Sequence, residues 1–403
     1  MANYYLHEDT TQMHKYIINN SRMSQEKHVI KDNSNAKVMR SYLKIAEDHV
    51  STDRAITPKA LSLPTNVRIA YGLNTISSTG TGQIIAIVDA YAMTTSAVQN
   101  DLNSFCTRYS IPTTTIVSKI MTNSSGKQPT VNAGWGLEIC LDVQYAHVLA
   151  PGATIMLVQA YSASFTDMMA AVTYAINNGA TVVSMSWGSN EFAAQTTYGA
   201  LFKPTNNLGK PVTYLASSGD VGGIMSWPCA SMNVVGVGGT TLTMSATGQR
   251  LSETAWNGSG GGVSLVEPIQ TYQKTYGLLG TKRQCPDVSF LGDPNTGVPV
   301  CYAGKYYQVG GTSLSCPCMA GVIAIANQLR MAASKKTLST AAILTYLYGT
   351  KTNGKYATVF FDIIVGAAGT FTTKSGFDNI TGLGSPKNTS VTVGMVAELV
   401  NLA

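Results

Sequence analysis

Short β-rich segments alternate with longer segments of helical periodicity over most of this chain, and this alternation limits the fold more than any other feature. Strands and helices in alternation form a parallel sheet whose connecting helices cover both of its faces. We therefore predict an α/β fold of three layers, in which about 340 residues share one core. The predicted strands are residues 84–89, 154–160, 181–186 and 212–217, and the predicted helices are residues 95–109, 135–149 and 166–178.

A loop of small residues, GGTSLSCPCMAG at residues 310–321, contains the strongest catalytic signal. It presents Ser313 ahead of an apolar helical segment, residues 320–333, and backbone amides near a helix start can stabilise negative charge. A serine nucleophile also needs a base. None of the five histidines has the sequence context of such a base, and four of them lie in a polar N-terminal stretch: His7, His14, His28 and His49, with His147 further on. The base is therefore expected to be another type of residue.

Glu138 and Asp142 lie in an apolar segment, WGLEICLDVQYAHVLAPGA, which predicts a helix that ends before Pro151. Residues four apart share one face of a helix, so these carboxyl groups are expected one turn apart. Two carboxylates that close in apolar surroundings do not both ionise easily, so one holds its proton and the other can act as a base. The alternative is a helix with two solvated acids. The apolar neighbours favour the functional interpretation.

Asp220 follows a β-rich segment, residues 212–216, in a Ser-Ser-Gly turn. The end of a buried parallel strand is where α/β folds place ligand sites. A protonated Asp220 could donate a hydrogen bond to an oxyanion, whereas an ionised carboxylate would repel it. On this segment alone, a turn aspartate that only accepts hydrogen bonds from backbone amides is an equally good interpretation.

Taken together, these residues resemble one family, the sedolisins or serine-carboxyl peptidases, which have a subtilisin-like catalytic domain with glutamate in place of the histidine. The resemblance implies that Glu138 is the base, that Asp142 supports it, that Asp220 helps to form the oxyanion hole and that Ser313 is the nucleophile. It implies a serine-type endopeptidase that is most active at acidic pH. It covers the chain from about residue 61 onwards and includes SMSWGSNE, VVGVGGTTL, ETAWNGSGGGVS, PDVSFLGDPNTG and TGLGSP, in the order of the family.

Asp89 offers a competing interpretation, because its segment GQIIAIVDAY resembles the strand that carries the catalytic aspartate of subtilisins. A subtilisin-type site would pair Asp89 with His147. That histidine lies about two and a half turns beyond Glu138 on the same predicted helix, where it is expected to pack or to cap the helix end. We therefore treat Asp89 as a decoy. A second alternative is a catalytically silent relative that binds peptides.

The resemblance also implies one calcium ion in the segment of residues 360–386. Asp362 and Asp378 would supply carboxylates, and Ile363, Lys374 and Gly376 would supply carbonyl oxygens, which are the hard ligands that calcium prefers. The family pattern often has glycine where Lys374 stands. That change matters only if the backbone there needs a positive φ.

Composition limits the partners. Charged residues make up 12% of the chain, and the net charge of +6 comes from scarce Asp and Glu without a cluster of Lys and Arg. We therefore expect no nucleic-acid partner, and no apolar run reaches the ~18 residues that cross a membrane. Protein or peptide substrates are what the family resemblance implies. A monomer is expected. Among seven cysteines, Cys285 and Cys301 could close a disulfide in an exported chain or remain buried thiols.

Residues 1–60 are richer in charge than the rest and are expected to form a short N-terminal extension or propeptide remnant, with the peptidase domain at residues 61–403. The first residues lack the apolar stretch of an export signal. An extracellular or acidic location is expected all the same, with a self-made cut near residues 57–64. Substrate main chain is expected to pair with the strand edge around residues 184–188 and the GSGGG loop.

Overall fold

The computed structural model describes residues 38–50, with side chains up to residue 45, and residues 62–403. The α-helices in these ranges are α1 (Pro64–Ala70), α2 (Thr95–Tyr109), α3 (Ala133–Leu149), α4 (Phe165–Asn177), α5 (Gln195–Tyr198), α6 (Thr271–Tyr276), α7 (Thr312–Ala332), α8 (Thr340–Gly349), α9 (Tyr356–Val359) and α10 (Met395–Asn401).

The strands in the same ranges are β1 (Arg40–Ser41), β2 (Lys44–Val50), β3 (Ile84–Ala90), β4 (Val117–Ile120), β5 (Thr154–Ala160), β6 (Val182–Met185), β7 (Trp187–Asn190), β8 (Thr213–Ser217), β9 (Ser226–Trp227), β10 (Val235–Met244), β11 (Arg250–Ala255), β12 (Gly262–Pro268), β13 (Lys282–Cys285), β14 (Val288–Leu291), β15 (Val298–Tyr302), β16 (Lys305–Gly310), β17 (Phe360–Phe361), β18 (Ala367–Ala368), β19 (Phe371–Thr372), β20 (Ser385–Pro386), β21 (Asn388–Ser390) and β22 (Val393–Gly394).

An eight-stranded sheet forms the centre of the fold. Its order is β11-β10-β8-β6-β3-β5-β4, and β14 also pairs with β10. All neighbouring strands run parallel except β10 and β11. The predicted α/β class with a mainly parallel sheet is therefore confirmed.

Side-chain alternation along β3 explains the three layers. Ile85 and Ile87 belong to one core together with residues of α2, α3 and α7, whereas Ala86 and Val88 belong to a second core together with residues of α4. Successive side chains of a strand point to opposite faces, and a parallel sheet is covered by helices on both. The sheet is therefore apolar on both sides, as the continuous β-rich segments predicted.

The boundaries of the predicted strands and helices differ from the observed ones by at most two residues. The helix that carries Ser313 is different, because α7 begins at Thr312 and not near residue 320. Pro317 lies inside this helix, and a proline cannot donate the backbone hydrogen bond to the residue four positions earlier. Ser313 is thus in the first turn of the helix and its carbonyl group lacks the usual helical partner.

Helices α3 and α7 approach each other closely within the first core, and this brings together the two helices with site residues. Residues 134–149 of α3 are all buried, as expected of a helix that is apolar all round. A Cβ atom added to Gly321 of α7 would lie 2.4 Å from the Cβ atom of Leu149. Only glycine permits this approach.

Part of the expected N-terminal extension pairs with the rest of the fold. β1 pairs antiparallel with β7, and β2 pairs antiparallel with β16. The predicted cut near residues 57–64 lies mostly outside the described residues, which resume at Ser62.

Two further expectations concern thiols and membranes. All seven cysteines are buried and free, so Cys285 and Cys301 are not joined. Burial raises the pKa of the Cys301 thiol to about 12. Within the described ranges, α7 is the one helix that is long and apolar enough to span a membrane, but 89% of its apolar window is buried inside the protein, as in a core helix.

Candidate active site

Ser313 is fully buried at the start of α7 and is held by the junction of β6 and β7. Its carbonyl group, which Pro317 leaves without a helical donor, accepts a hydrogen bond from the Ser186 hydroxyl at 3.2 Å. The Ser313 hydroxyl in turn donates to the Ser186 carbonyl at 3.3 Å. The proline thus makes room for a contact that fixes the serine against the edge of the central sheet.

Three carboxyl groups form a buried cluster near this serine, and we call Asp89, Glu138 and Asp142 the carboxyl cluster. Asp89 lies near the end of β3, and the other two lie one turn apart on α3. All three are fully buried. None of their carboxylate oxygens has a well-aligned hydrogen-bond partner among the described residues. Such a group is costly to ionise.

The pKa values follow from this burial. Loss of water raises the pKa of Asp89 to about 8 and raises the pKa values of Glu138 and Asp142 well above their usual range. The nearby charge of Asp89 adds to the rise of both other pKa values. Buried carboxyl groups this close share protons, so the three members of the cluster do not all ionise at acidic pH.

Hydroxyl groups near Glu138 lower its pKa and so oppose the effect of burial. Ser313 and Ser41 both interact with its carboxylate and lower its pKa in part, while Ser186 does the same at Asp142. The better-aligned hydrogen bond of the Ser313 hydroxyl is the one to the Ser186 carbonyl, so its contact with Glu138 is the longer or less direct of the two. The structure therefore brings the predicted pair and the predicted nucleophile into one site.

Asp220 approaches the same site from the end of β8. Its Oδ1 accepts hydrogen bonds from the backbone N–H and the hydroxyl of Thr312, at 2.8 and 2.9 Å. Burial raises the pKa of Asp220 to about 6, against smaller opposing effects of Lys44 and Thr312. Its Oδ2 has no partner among the described residues. One oxygen thus anchors the carboxyl group and the other is available.

The available oxygen, Asp220 Oδ2, lies beside the Ser313 N–H, which already donates a hydrogen bond to a carbonyl group. The Ser313 N–H donates to the Tyr42 carbonyl at 3.1 Å. A Cβ atom on Gly311 would lie 2.0 Å from that carbonyl oxygen and 2.6 Å from Asp220 Oδ2, so both oxygens border the same small space. Gly311 has a φ of +101°, a second reason for glycine here. An amide and a carboxyl group next to one carbonyl oxygen are the parts that an oxyanion hole requires.

The structure also gives functional positions that the sequence interpretation missed or placed elsewhere. The sequence interpretation treated Asp89 as a decoy, but Asp89 is part of the carboxyl cluster and lies within the site. His147 lies 2.6 Å from the Pro112 carbonyl oxygen, and burial lowers its pKa. The position of Asp89 at a strand end was a visible signal, but its distance along the chain from Glu138 hid the contact.

The predicted calcium residues lie in the C-terminal loops. Asp362 accepts hydrogen bonds from the Tyr356 hydroxyl at 2.9 Å and from the Ser375 hydroxyl and the Gly376 N–H, at 3.0 and 3.1 Å. Asp378 is buried and accepts from the backbone of Ile380 and of Thr381, both at 2.8 Å.

The oxygen atoms available at these loops are of the type that a hard cation binds. Asp362 and Asp378 both raise the pKa values of Tyr276 and Tyr356, so the two carboxylates lie near the same tyrosine pair. Lys374 is not among the residues with positive φ in the described ranges, so replacing glycine there causes no strain. Within the described ranges, no group of three or more His, Cys, Asp or Glu side chains is arranged so that it could hold a metal ion, so carbonyl oxygens of Ile363, Lys374 and Gly376 would have to complete a site.

Comparisons with known proteins agree with this fold. The profile of the subtilase family matches residues 115–384. Kumamolisin of Bacillus sp. (strain MN-32) is 32% identical over 281 residues, which are 62% of this chain and 49% of kumamolisin. Sedolisin of Pseudomonas sp. (strain 101) is 32% identical over 193 residues, 41% of this chain and 31% of sedolisin. The structure of Pseudomonas sedolisin complexed with two molecules of pseudo-iodotyrostatin has a TM-score of 0.69 and 25% identity, and covers 86% of this chain and 98% of that chain.

These observations define the class of protein. It has a subtilisin-like α/β domain whose candidate site combines a serine with buried carboxyl groups. The chain belongs to the subtilase family and, within it, to the sedolisins, the serine-carboxyl peptidases. It spans about half the length, or less, of the curated relatives given above.

Proposed function

We propose that this protein is a serine-type endopeptidase that hydrolyses peptide bonds at acidic pH with carboxyl groups in place of a histidine. The observation that carries the proposal is the position of Ser313 between two sets of carboxyl groups. Its hydroxyl interacts with Glu138 of the carboxyl cluster, and its backbone N–H binds a carbonyl oxygen that borders the same small space as Asp220. Protein or peptide substrates follow from this chemistry, and the working form is taken to be a monomer without nucleic-acid or membrane partners.

The nucleophilic step begins with transfer of the Ser313 proton to Glu138. Glu138 is the member of the cluster best suited to carry a charge, because two hydroxyl groups favour its ionised form. Asp142, one turn away, and Asp89, with its pKa of about 8, hold protons and orient the base. Glu138 then returns the proton to the leaving amine, and water releases the acyl group from Ser313.

The oxyanion that forms in this step is stabilised by the Ser313 N–H and by Asp220. With a pKa of about 6, Asp220 is largely protonated at pH 5 and largely ionised at pH 7. Only the protonated form can donate a hydrogen bond to the oxyanion. Activity should therefore be highest below neutral pH, which in turn supports an extracellular or otherwise acidic location.

Calcium would be held by the carboxylates of Asp362 and Asp378 and by the carbonyl groups of Ile363, Lys374 and Gly376. The ion would supply positive charge to two partly buried carboxylates and would join loops that are distant along the chain. Support for this comes from the oxygen donors and from the shared tyrosine neighbours of the two carboxylates.

A catalytically silent peptide-binding protein is the second candidate. The observation that favours it is that the Ser313 N–H already donates a hydrogen bond to a carbonyl group of the same chain, that of Tyr42. Incubation with an unfolded protein substrate from pH 3 to pH 8 separates the two functions. Hydrolysis in acid that disappears in Ser313→Ala supports the peptidase. Absence of hydrolysis by the folded protein at every pH supports the silent relative.

A further inference from the structure

Cys229 and Cys285 lie 56 positions apart along the chain, but they contact each other in the interior of the protein. The Cys285 thiol donates a hydrogen bond to the Cys229 carbonyl oxygen, with the sulfur atom 3.4 Å from that oxygen. Burial, and then a hydrogen bond with the Cys229 thiol, raise the pKa of the Cys285 thiol well above its usual range. Both side chains are fully buried and reduced. The fold thus holds two thiol groups against each other.

The place of the Cys229 sulfur depends on a glycine of the neighbouring strand β10. A Cβ atom on Gly236 would lie 2.6 Å from the Cys229 Sγ atom and 3.5 Å from the Cys229 carbonyl oxygen. A larger residue at position 236 would therefore displace this sulfur atom, because a protein interior has no room to spare. Gly236 leaves the space in which the sulfur of Cys229 reaches Cys285.

A second pair of buried thiols is arranged differently. Cys140 and Cys301 each contact a different oxygen atom of Asp101, and both sulfur–oxygen distances are 3.8 Å. Each of these thiols thus has a carboxyl oxygen as its acceptor. The Cys285 thiol, by contrast, has Cys229 itself as its partner. The two pairs allow a matched comparison within one protein.

A buried cation lies beside the pair of Cys229 and Cys285. The charge of Arg283 lowers the pKa of Cys285 in part, and this effect exceeds the opposite effect of Asp287. The Nε atom of Arg283 is buried and has no hydrogen-bond partner among the described residues. Positive charge near a thiol favours the thiolate, which is the form that attacks a disulfide. Arg283 therefore assists attack by the Cys285 sulfur.

We propose that Cys229 and Cys285 form a disulfide bond in an oxidising environment, with a small disulfide such as glutathione disulfide as the oxidant. Cys229 follows β9, which pairs with β7, and Cys285 ends β13, which pairs with β12, so the bond joins two separate sheets. It closes a long loop and thus lowers the entropy of the unfolded chain. The bond takes the place of the one between Cys285 and Cys301 that the sequence left open, and it does not depend on the peptidase function.

The reaction transfers two electrons from the cysteines to the oxidant. The Cys285 sulfur loses its proton and bonds to one sulfur of glutathione disulfide, whose sulfur–sulfur bond breaks and releases one glutathione thiolate. The Cys229 sulfur, also without its proton, then attacks the Cys285 sulfur and releases the second glutathione. The two glutathione thiolates take up the two protons. Because both sulfur atoms are buried, the reaction takes place in the folding chain or in a locally opened state.

The test uses the folded full chain with Ser313→Ala, which keeps proteolysis out of the measurement. One sample is incubated with glutathione disulfide and the other with dithiothreitol, both in urea just below the unfolding transition, where the fold opens locally. We expect the oxidised sample to be lighter by two hydrogen atoms and, once unfolded, to be alkylated at five of its seven cysteines. Digestion without reduction should give a cross-linked peptide that contains Cys229 and Cys285.

The bond should also change stability, which a mere contact between thiols would not do. After removal of urea, the oxidised sample should have a Tm about 5 °C above that of the reduced sample. Cys229→Ala and Cys285→Ala should each abolish this difference. Cys301→Ser is the matched control, because it changes a thiol that contacts Asp101, and it should keep both the cross-link and the difference in Tm.

Three products would overturn the proposal: a cross-link between Cys285 and Cys301, a glutathione that remains bound to Cys285, or seven alkylated cysteines after oxidation. A cross-link between Cys229 and Cys285 with an unchanged or lower Tm would overturn its stabilising effect. The cross-link is mapped in a chain that contains both cysteines, so this result stands even if an alanine variant fails to fold.

Discussion

Two regions of this protein contain aspartates in glycine-rich or apolar surroundings, and they treat their carboxyl groups in opposite ways. In the carboxyl cluster, no oxygen of Asp89, Glu138 or Asp142 has a well-aligned partner among the described residues. In the C-terminal loops, the carboxylates of Asp362 and Asp378 accept hydrogen bonds from hydroxyl and backbone donors.

This difference fits the two proposed roles, proton transfer in the carboxyl cluster and cation binding in the C-terminal loops. Donors favour the charged form of a carboxylate, which suits a cation ligand, although burial still raises the pKa of Asp378 to about 6. A buried cluster whose few hydroxyl donors are poorly aligned keeps protons that a reaction can move. An aspartate can thus suit proton transfer or cation binding, and its hydrogen-bond partners, not its position in the sequence, determine which of the two it suits.

The largest expected effect in this comparison is the loss of the base. Glu138→Gln keeps the size of the side chain but removes its basicity, so kcat/KM for an unfolded substrate in acid should fall about 10³-fold or more. Asp362→Asn in the C-terminal loops is the matched carboxyl-to-amide control. Its kcat/KM should fall less than tenfold when calcium is present. Equal losses in the two variants would show that the two regions do not differ in function.

Asp220 should give the next largest effect and a change in the shape of the pH profile. Asp220→Asn should lower kcat about 10²-fold, because an amide is a weaker donor than a carboxylic acid in this position. An amide does not titrate, so the fall in activity that the unchanged protein shows around pH 6 should be absent from the variant. A fall at the same pH in both proteins would assign it to another group.

The dependence of stability on pH should reveal the raised pKa of Asp220. Asp220 binds a proton more tightly in the folded chain, with a pKa of about 6 against a reference value of 3.8. Its stabilising effect is therefore complete below pH 4 and is lost as the pH rises to 6, by about 3 kcal/mol. The carboxyl cluster changes stability in the same direction. Urea unfolding at pH 4 and pH 6.5 should show the higher free energy of unfolding in acid, with a smaller difference in Asp220→Asn.

Calcium should act only through the C-terminal loops. Calcium at 100 times its dissociation constant should stabilise the unchanged protein by about 2.7 kcal/mol, visible as a higher Tm. Asp378→Asn should abolish that rise, whereas Asp142→Asn in the carboxyl cluster should retain it. A calcium effect that persists in Asp378→Asn would place the ion elsewhere.

Local patterns predicted most of the fold, and tertiary packing explains what they missed. Strand β5 and helix α2 have the predicted ends, because each is a regular run with clear limits. The start of α7 was missed because Gly, Thr, Ser and Pro317 are poor helix formers. The helix nevertheless begins at Thr312, because Asp220 accepts a hydrogen bond from the Thr312 N–H.

The sequence predicted which residues of one element lie together, but it did not predict all of the contacts between separate elements. Glu138 and Asp142 are four residues apart, so helix geometry alone brings them together. Asp89 joins them only through the packing of α3 against β3, and Tyr42 only through strand pairing across the site. Neither contact has a signature in the local sequence. The calcium residues came from the family resemblance and not from a local pattern.

The most direct test of carboxyl-based catalysis is the pH dependence of kcat/KM from pH 3 to pH 8 on an unfolded peptide. We expect activity at pH 4 to 5, a fall as Asp220 ionises near pH 6, and none in Glu138→Gln at any pH. Activity that instead rises from pH 5 to pH 7, or that survives in Glu138→Gln, would contradict a serine activated by carboxyl groups.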